Sequence, residues 1–422
     1  MRKNLNKIVA FAIGISVVSG SFMPVFAADN AVQIDTMINS LYSKNQKPLL
    51  TLDDSIKGAV SASETIQLDT KKITYQDNVN DVNEDLDDYN NVSGDEEDFN
   101  EDTRDVTVDK LRQKRDFDED ILVQKVTKAY NGIVTSQLKI EKAAKELEIK
   151  NKELSDAKFK ESLGMITPTN LKSTELEIED LEIAKRTSED SLKDAEYSFK
   201  VLTGKDVTKY SLDRDVPYET LKIDKSVDAY FDNVIDKYLK YSEELLKIQK
   251  EYYKDSENKV TGADVSDAKE ITDGAVEPKL SDYDGNVDEY EAAYSKYEKD
   301  KSAYTNAVSQ RLTYLANKLS VDESQITLNE NKKEFKNQLK ALYTNLLTSE
   351  GNINHLKKNI ELNNKKLSDT KLKYDLGTIT QSAYNTQVIN SEDLDLQLRE
   401  TIETYNTLKE KIQKPWIAFS NS

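Results

Sequence analysis

Asn151-Lys152-Glu153-Leu154-Ser155-Asp156-Ala157-Lys158-Phe159-Lys160-Glu161-Ser162-Leu163-Gly164-Met165-Ile166-Thr167 recurs as Asn364-Lys365-Lys366-Leu367-Ser368-Asp369-Thr370-Lys371-Leu372-Lys373-Tyr374-Asp375-Leu376-Gly377-Thr378-Ile379-Thr380. The displacement is 213 positions (364 − 151), and eleven of the seventeen paired residues are identical. Each copy reads as the sharp end of a helical hairpin. Gly164 and Gly377 stand where a helix needs a left-handed residue just past its last turn. Thr167 and Thr380 are placed to cap the returning helix, and Pro168 suits its first position, where the missing N–H costs nothing.

Working outward from the turn, an apolar seam precedes each copy. Val126, Ala129, Ile133, Ile140, Ala143, Leu147 and Leu154 follow one another in steps of three, four and seven. Adding 213 to each gives Leu339, Leu342, Leu346, Ile353, Leu356, Ile360 and Leu367. The duplication therefore preserves a buried seam as well as a turn, as a repeated coiled-coil hairpin requires. The returning helices carry Ile178, Leu181, Leu192, Ala195, Phe199 and Leu202 in the first repeat. In the second they carry Leu394, Leu398, Thr401, Tyr405, Leu408 and Ile412. Lys185 and Ser188 interrupt the first returning seam; polar residues there either fix register or line a wet interior, and the spacing is compatible with both.

The expected fold class is all-α: internally duplicated, long antiparallel coiled-coil hairpins. With 12 glycines, 6 prolines and a charged fraction of 32% in 422 residues, the composition disfavours many short strands joined by turns. The formal net charge of −19 makes nucleic acid an unsuitable partner and is read as solvation of exposed faces. There is no cysteine, which removes disulfides, thiolate metal sites and thiol catalysis. The single histidine, His355, excludes clustered His sites and is read as a surface or seam residue. No catalytic residue, metal ligand or cofactor site is assigned, because no acid, base and nucleophile stand out from the many carboxylates.

Along the chain, residues 1–27 read as a secretory signal. Arg2, Lys3 and Lys7 start it, an apolar run follows, and Val25-Phe26-Ala27 precedes the cut. An uncleaved anchor is the competing reading, although the run is shorter than the ~20 residues of a spanning helix. A short amphipathic helix is expected at Ile34, Met37, Ile38 and Leu41, and another from Thr51 to about Gln76. Residues 77–109 carry fourteen acids against one base, Arg104, and are expected to be a flexible acidic loop. Calcium is the sharper reading of that run, but the glycine and closing glutamate of a calcium loop are missing at the required spacing. A long helix is expected over 108–163. The first hairpin repeat (28–204, tip 163–168) passes through a connector (205–225) to the second (226–414, tip 376–381). The second repeat contains an acidic loop at 258–285 and a helix break near Ser320 and Val321. The tail 415–422, with Trp416 and Phe419, is expected to dock on the bundle or contact a partner.

Three of these stretches together resemble the TolC-type outer-membrane efflux proteins. Leu50-Thr51-Leu52-Asp53-Asp54-Ser55-Ile56 is similar to the start of that family, and Lys373-Tyr374-Asp375-Leu376-Gly377-Thr378-Ile379-Thr380 to its hairpin tip. Leu163-Gly164-Met165-Ile166-Thr167 is similar to the partner tip. The resemblance implies a homotrimer whose hairpins form a hollow helical tunnel. It also implies that the tips dock on a periplasmic-type adaptor, a membrane fusion protein connected to an inner-membrane exporter. By residue matching, the docking edge is Leu163, Gly164, Ile166 and Thr167 with Leu376, Gly377, Ile379 and Thr380; the plainer reading is that these residues simply close the hairpins. The family carries β-hairpins that build a membrane barrel where this chain has its two acidic stretches, and neither stretch shows the alternating lipid-facing row of a membrane strand. Little or no barrel is therefore expected. The location implied is the cell envelope: the outer membrane by family, the cell wall or the extracellular side of the plasma membrane by the missing barrel. A non-transporting coiled-coil scaffold of the cell surface is the alternative. An adaptor would need β-rich flanks that this chain lacks.

Overall fold

A computed structural model describes residues 47–224 and 226–419. The expected signal and the helix around Ile34 to Leu41 lie outside the described residues. The fold is all-α, with helices α1 (Leu52–Ala62), α2 (Glu64–Asn90), α3 (Asp95–Ser162), α4 (Pro168–Thr203) and α5 (Val227–Lys254). They are followed by α6 (Gly262–Asp273), α7 (Val287–Asp375), α8 (Gln381–Gln413) and α9 (Trp416–Phe419). Among the described residues the strands are β1 (Leu49–Leu50) and β2 (Ser211–Leu212), a two-stranded parallel pair, and no barrel is formed. The chain separates into two compact units, each drawing on both repeats. One, the hairpin unit, holds described residues 47–71, 113–238 and 335–419; the other, the acidic unit, holds 72–112 and 239–334.

In the hairpin unit the predicted seams are buried where they matter most. Val126 and Leu339, one repeat apart, are both fully buried, as are Ile133 and Leu346. Toward the turns the seam residues become half-buried, as at Ile140, Leu147 and Leu154. A cluster of Leu50, Ala59, Val126, Tyr130, Ile133, Phe199, Val207 and Leu212 joins α1, α3, α4 and the β1–β2 pair. Thr51 caps α1, its side chain accepting from the Asp54 N–H at 3.1 Å. The β pair, which no sequence signal announced, is held by that cluster and by Tyr130, whose hydroxyl donates to the Leu50 carbonyl at 2.7 Å and accepts from the Asp213 N–H at 2.8 Å.

The connector is strapped to the hairpins by similar bonds. The Leu221 N–H donates to the Tyr405 hydroxyl at 2.8 Å, and Asn406 donates to the Pro217 carbonyl at 2.8 Å. The Arg214 guanidinium grips the Glu141 carboxylate at 2.6 and 2.9 Å. The tail docks as expected: Trp416 stacks on Phe117 at 4.1 Å and donates to Asp120 at 3.0 Å, while Phe419 stacks on Phe335 at 4.4 Å.

The acidic unit corrects three expectations. Residues 77–109 are not a loop: α2 continues to Asn90, a tight turn follows with Asn91 (φ 54°) and Gly94 (φ 66°) left-handed, and α3 begins at Asp95. Composition failed here because the ordering comes from a few specific contacts. Arg104 pairs with Asp87 at 2.6 Å, Val106 and Val108 are buried, and Phe99 stacks on Tyr252 at 4.2 Å. Asp95, Glu96, Glu97 and Asp98 also sit in the first turn of α3, where the helix dipole favours negative charge. Residues 258–285 are likewise partly helical: α6 opens with a capping box between Thr261 and Asp264. The break expected near Ser320 and Val321 is absent, because Val321 is buried against Leu246, Tyr253 and Tyr314 and no glycine or proline interrupts α7 there. Conversely, the helix expected from Thr51 to Gln76 is divided at Ser63, whose hydroxyl accepts from the Ile66 N–H.

Gly58 marks the closest approach of α1 to the end of α4: a Cβ there would meet the Thr203 carbonyl oxygen at 2.7 Å. Gly58→Ala is expected to lower stability by about 1–3 kcal/mol through this overlap. Tyr130→Phe, which leaves the Asp213 N–H without its acceptor, is expected to cost about 1–3 kcal/mol. Denaturant midpoints of the two variants against the parent check both; unchanged midpoints would contradict the packing described.

Candidate functional site

The two hairpin tips are built on the same plan. At the first, the Gly164 N–H donates to the Glu161 carbonyl and the Met165 N–H to the Lys160 carbonyl, both at 2.8 Å. At the second, the Gly377 N–H donates to the Tyr374 carbonyl and the Thr378 N–H to the Lys373 carbonyl, both at 2.9 Å. This is the paired closure of a Schellman motif, and it requires the left-handed conformation that Gly164 (φ 71°) and Gly377 (φ 69°) adopt. Thr167 and Thr380 then cap α4 and α8, accepting from the Asn170 and Ala383 N–H groups at 3.3 and 3.2 Å, and Pro168 is the first residue of α4.

The closure leaves apolar side chains outside. Leu163 is 58% and Leu376 69% exposed, and Met165 is exposed beside the first of them. Ile166 and Ile379 are half-buried, each tucked under its turn. Of the eight expected edge residues, therefore, the two leucines present surface, the isoleucines pack, and the glycines and threonines make the turn itself. The second tip has a feature the repeat did not announce. Tyr374 stacks on Tyr384 at 5.4 Å and its hydroxyl donates to Gln381, whereas Glu161 and Leu171 occupy the equivalent positions of the first tip.

Between the tips and the connector the two hairpins are tied by charge. Lys139, Lys142 and Lys145 on α3 pair with Glu400, Asp393 and Glu392 on α8, at 2.5 Å for the first and 2.6 Å for the third. Near the tips the Ser382 hydroxyl donates to Glu153. Arg399, largely buried, donates to the Thr135 hydroxyl at 2.9 Å, pairs with Glu403 at 3.0 Å and donates to the Arg214 carbonyl. Burial pulls its guanidinium below the ordinary value, against the attraction of Glu403. His355 is exposed. Among the described residues no group of three histidines and carboxylates is placed to hold a metal ion, and no helix is long and apolar enough to cross a membrane.

This architecture is shared with solved channels. The chain is similar to a membrane protein from Pseudomonas aeruginosa, with a TM-score of 0.52 and 11% identity over 93% of this chain and 99% of that one. It is similar to the Campylobacter jejuni CmeC outer membrane channel, with a TM-score of 0.51 and 9% identity over 94% of each chain. With the outer-membrane channel OprN the TM-score is 0.53 and the identity 10%, over 93% of this chain and 99% of that one. No protein-family model matches the sequence, and no curated protein matches it. The chain is thus TolC-like in fold, a divergent form with helical hairpins and, among the described residues, without a closed barrel.

Two outcomes test the site as described. Gly164→Ala and Gly377→Ala force a Cβ into the left-handed region and are each expected to destabilise the tip by about 1–2 kcal/mol. Hydrogen exchange should report faster opening of the last turn of α3 or α7; unchanged protection would contradict the turn geometry.

The second concerns pH. Burial, with Asp206 nearby, raises the Glu196 carboxyl; burial, with Glu392 nearby, raises Asp395; burial raises Glu410 against the pull of Lys414. The folded state therefore holds these protons more tightly than the unfolded chain. Their contribution is full below the ordinary carboxylate range and is lost as the pH rises through the raised values. Exposed partners of lysines, such as Asp190 and Glu361, are lowered by hydrogen bonds and act in the opposite sense, but only below the ordinary range. The denaturant midpoint is expected to be higher just above the ordinary carboxylate range than at neutral pH; the reverse order would contradict the burial assigned to these groups.

Proposed function

We propose that the chain is an exported, TolC-like efflux or secretion channel component. Two hairpins from each of three copies would form a helical tunnel, and the tips would dock on an adaptor of the membrane fusion type that leads to an inner-membrane exporter. The observation that carries this reading is the pair of matched tips, each closed by the same left-handed glycine and each presenting one exposed leucine, at the turns of a fold shared along nearly its whole length with outer-membrane channels. Leu163, Gly164, Ile166, Thr167, Leu376, Gly377, Ile379 and Thr380 form the docking edge, with Leu163 and Leu376 making the contact and the other six shaping it. Such a component is a passive conduit and not an enzyme.

The row formed by Leu176, Ile183 and Tyr197 on α4 supports a ring. These residues are exposed in the single chain and lie seven and fourteen positions apart, as a coiled-coil contact with another copy requires. With no barrel among the described residues, the cell wall or the outer side of the plasma membrane suits the protein as well as an outer membrane does. A surface scaffold that keeps the hairpins but carries no solute is the second reading, and closed self-association separates the two.

The mature chain from Ala28, studied by light scattering without detergent, is expected to give the mass of a trimer. A monomer at every concentration would favour the scaffold. Leu163→Ser together with Leu376→Ser is expected to weaken binding of a purified adaptor hairpin at least about tenfold while leaving the trimer intact, as loss of apolar anchors does. Unchanged adaptor binding would remove the tips from the docking edge.

A further inference from the structure

The acidic unit carries two apolar seams that nothing in the single chain covers. On α2, Tyr75, Val82, Leu86 and Tyr89 are exposed, Tyr89 to 83%, with Val79 half-buried among them. Their spacing is that of a coiled-coil seam, and α3 meets a different face of α2, at Asn80 and Asp87. On α7, Leu312, Leu315, Leu319 and Ile326 are exposed in steps of three, four and seven, Leu312 to 62%, while the buried face at Tyr314 and Val321 packs on α5. Each seam spans fourteen positions, from Tyr75 to Tyr89 and from Leu312 to Ile326, about 21 Å of helix.

The flank of the α2 seam is acidic, whereas the cleft beside the α7 seam is mixed in charge with a small excess of lysines. Asp81, Asp85 and Asp88 border the α2 seam within a run that has fourteen acids and one base. Beside the α7 seam an open cleft of about 960 Å³ between α5 and α7 is lined by six lysines, Lys247, Lys250, Lys254, Lys259, Lys318 and Lys332, against four carboxylates, Glu243, Glu244, Glu251 and Asp322, with Leu246 and Leu328 among its apolar residues. Six lysines in one cleft stand out in a chain of net charge −19. Lys332 is engaged by Glu243 at 2.5 Å and Lys250 by Gln325, but Lys254, Lys259 and Lys318 have no ion-pair partner among the described residues. Two different patches that match in period, length and charge, on one molecule, are the requirement for a head-to-tail contact that repeats around a ring.

We propose that the α2 seam of one copy packs against the Leu312–Ile326 face of α7 in a second copy of this chain, with Asp81, Asp85 and Asp88 facing Lys254, Lys259 and Lys318. The contact rests on the ring proposed above and names the surfaces that close it in the acidic unit. It does there with side chains what barrel strands do with backbone hydrogen bonds. Lys254, Lys259 and Lys318, which make no ion pair among the described residues of one copy, gain carboxylate partners when the neighbour's acidic helix lies along the cleft.

The absence of native cysteine makes the test direct. Full-length mature chains carrying Val82→Cys and Leu319→Cys separately are mixed and treated with a bismaleimide linker long enough to tolerate one turn of register. Crosslinked dimers are expected in the mixture and not in either chain alone, and the doubly substituted chain should crosslink up to a trimer. Light scattering runs in parallel. A trimer without the mixed crosslink, or with equal crosslinking of each chain to itself, overturns this contact and leaves the ring standing. A monomer throughout overturns both.

Independently, Lys254→Glu, Lys259→Glu and Lys318→Glu combined are expected to weaken self-association about tenfold, with recovery when Asp81→Lys, Asp85→Lys and Asp88→Lys are introduced in the same chain. Circular dichroism verifies that these exposed changes leave the helices formed. Unchanged self-association, with loss of binding to a poly-glutamate probe, would assign the cleft to a different anionic partner and overturn the proposal.

Discussion

Burial of one seam, repeated after 213 residues, is the constraint on which the hairpin unit depends. Val126 with Ile133 on α3 and Leu339 with Leu346 on α7 are the equivalent buried positions of the two repeats, and everything around them is arranged to keep those faces dry. The helices themselves are too charged to be stable alone: such sequences hold together only where an apolar stripe is covered by another helix. The Schellman closures at Gly164 and Gly377 act on this seam indirectly. By reversing the chain within a few residues they bring α4 and α8 back beside the stripes that α3 and α7 cannot cover by themselves.

Charge then decides which surfaces meet. A chain of net charge −19 repels itself unless its lysines are placed where acids would otherwise face one another. The row Lys139, Lys142 and Lys145 against Glu400, Asp393 and Glu392 does this between the two hairpins. Each exposed pair contributes little, about 0–1 kcal/mol, so the row matters more for register than for total stability. Arg399 works differently. It is largely buried and engages Thr135, Glu403 and the Arg214 carbonyl together, so it links α3, α8 and the connector at a single point.

The features legible in the sequence were those encoded locally. Gly164 with Thr167, and Gly377 with Thr380, spell out turn and cap within four residues, and the seam is visible because it repeats. Thr51 as a cap was legible for the same reason, and the docking of Trp416 from the apolar run Trp416-Ile417-Ala418-Phe419. The acidic stretch at 77–109 was misread because its order comes from Phe99 on Tyr252 and from Arg104 on Asp87, contacts that composition does not record. The heptad of Tyr75, Val82, Leu86 and Tyr89 was present in the sequence but hidden by the surrounding acids. The β1–β2 pair joins residues more than 160 positions apart through only two residues on each side, too short to leave a pattern. At the tips the eight residues all fall in or beside the two turns, and their division into exposed leucines, half-buried isoleucines and turn-forming glycines needed the structure.

The helical state of residues 77–109 bears directly on how an unbarrelled chain of this fold can work. A strand extension presents unpaired backbone donors and acceptors along its edges and is complete only when a neighbour or a closed barrel supplies the missing bonds. A helical hairpin satisfies its backbone internally, so what it offers a neighbour is only side chains. The acids on α2 and at the start of α3 suit contact with water or with cations and are costly against hydrocarbon. In the assembly proposed above, helices with exposed apolar seams and charged flanks replace a membrane-dependent closure with one that depends on ionic strength and on the match between two surfaces. A ring closed in this proposed way would gain assembly in water and give up the permanence of a hydrogen-bonded barrel.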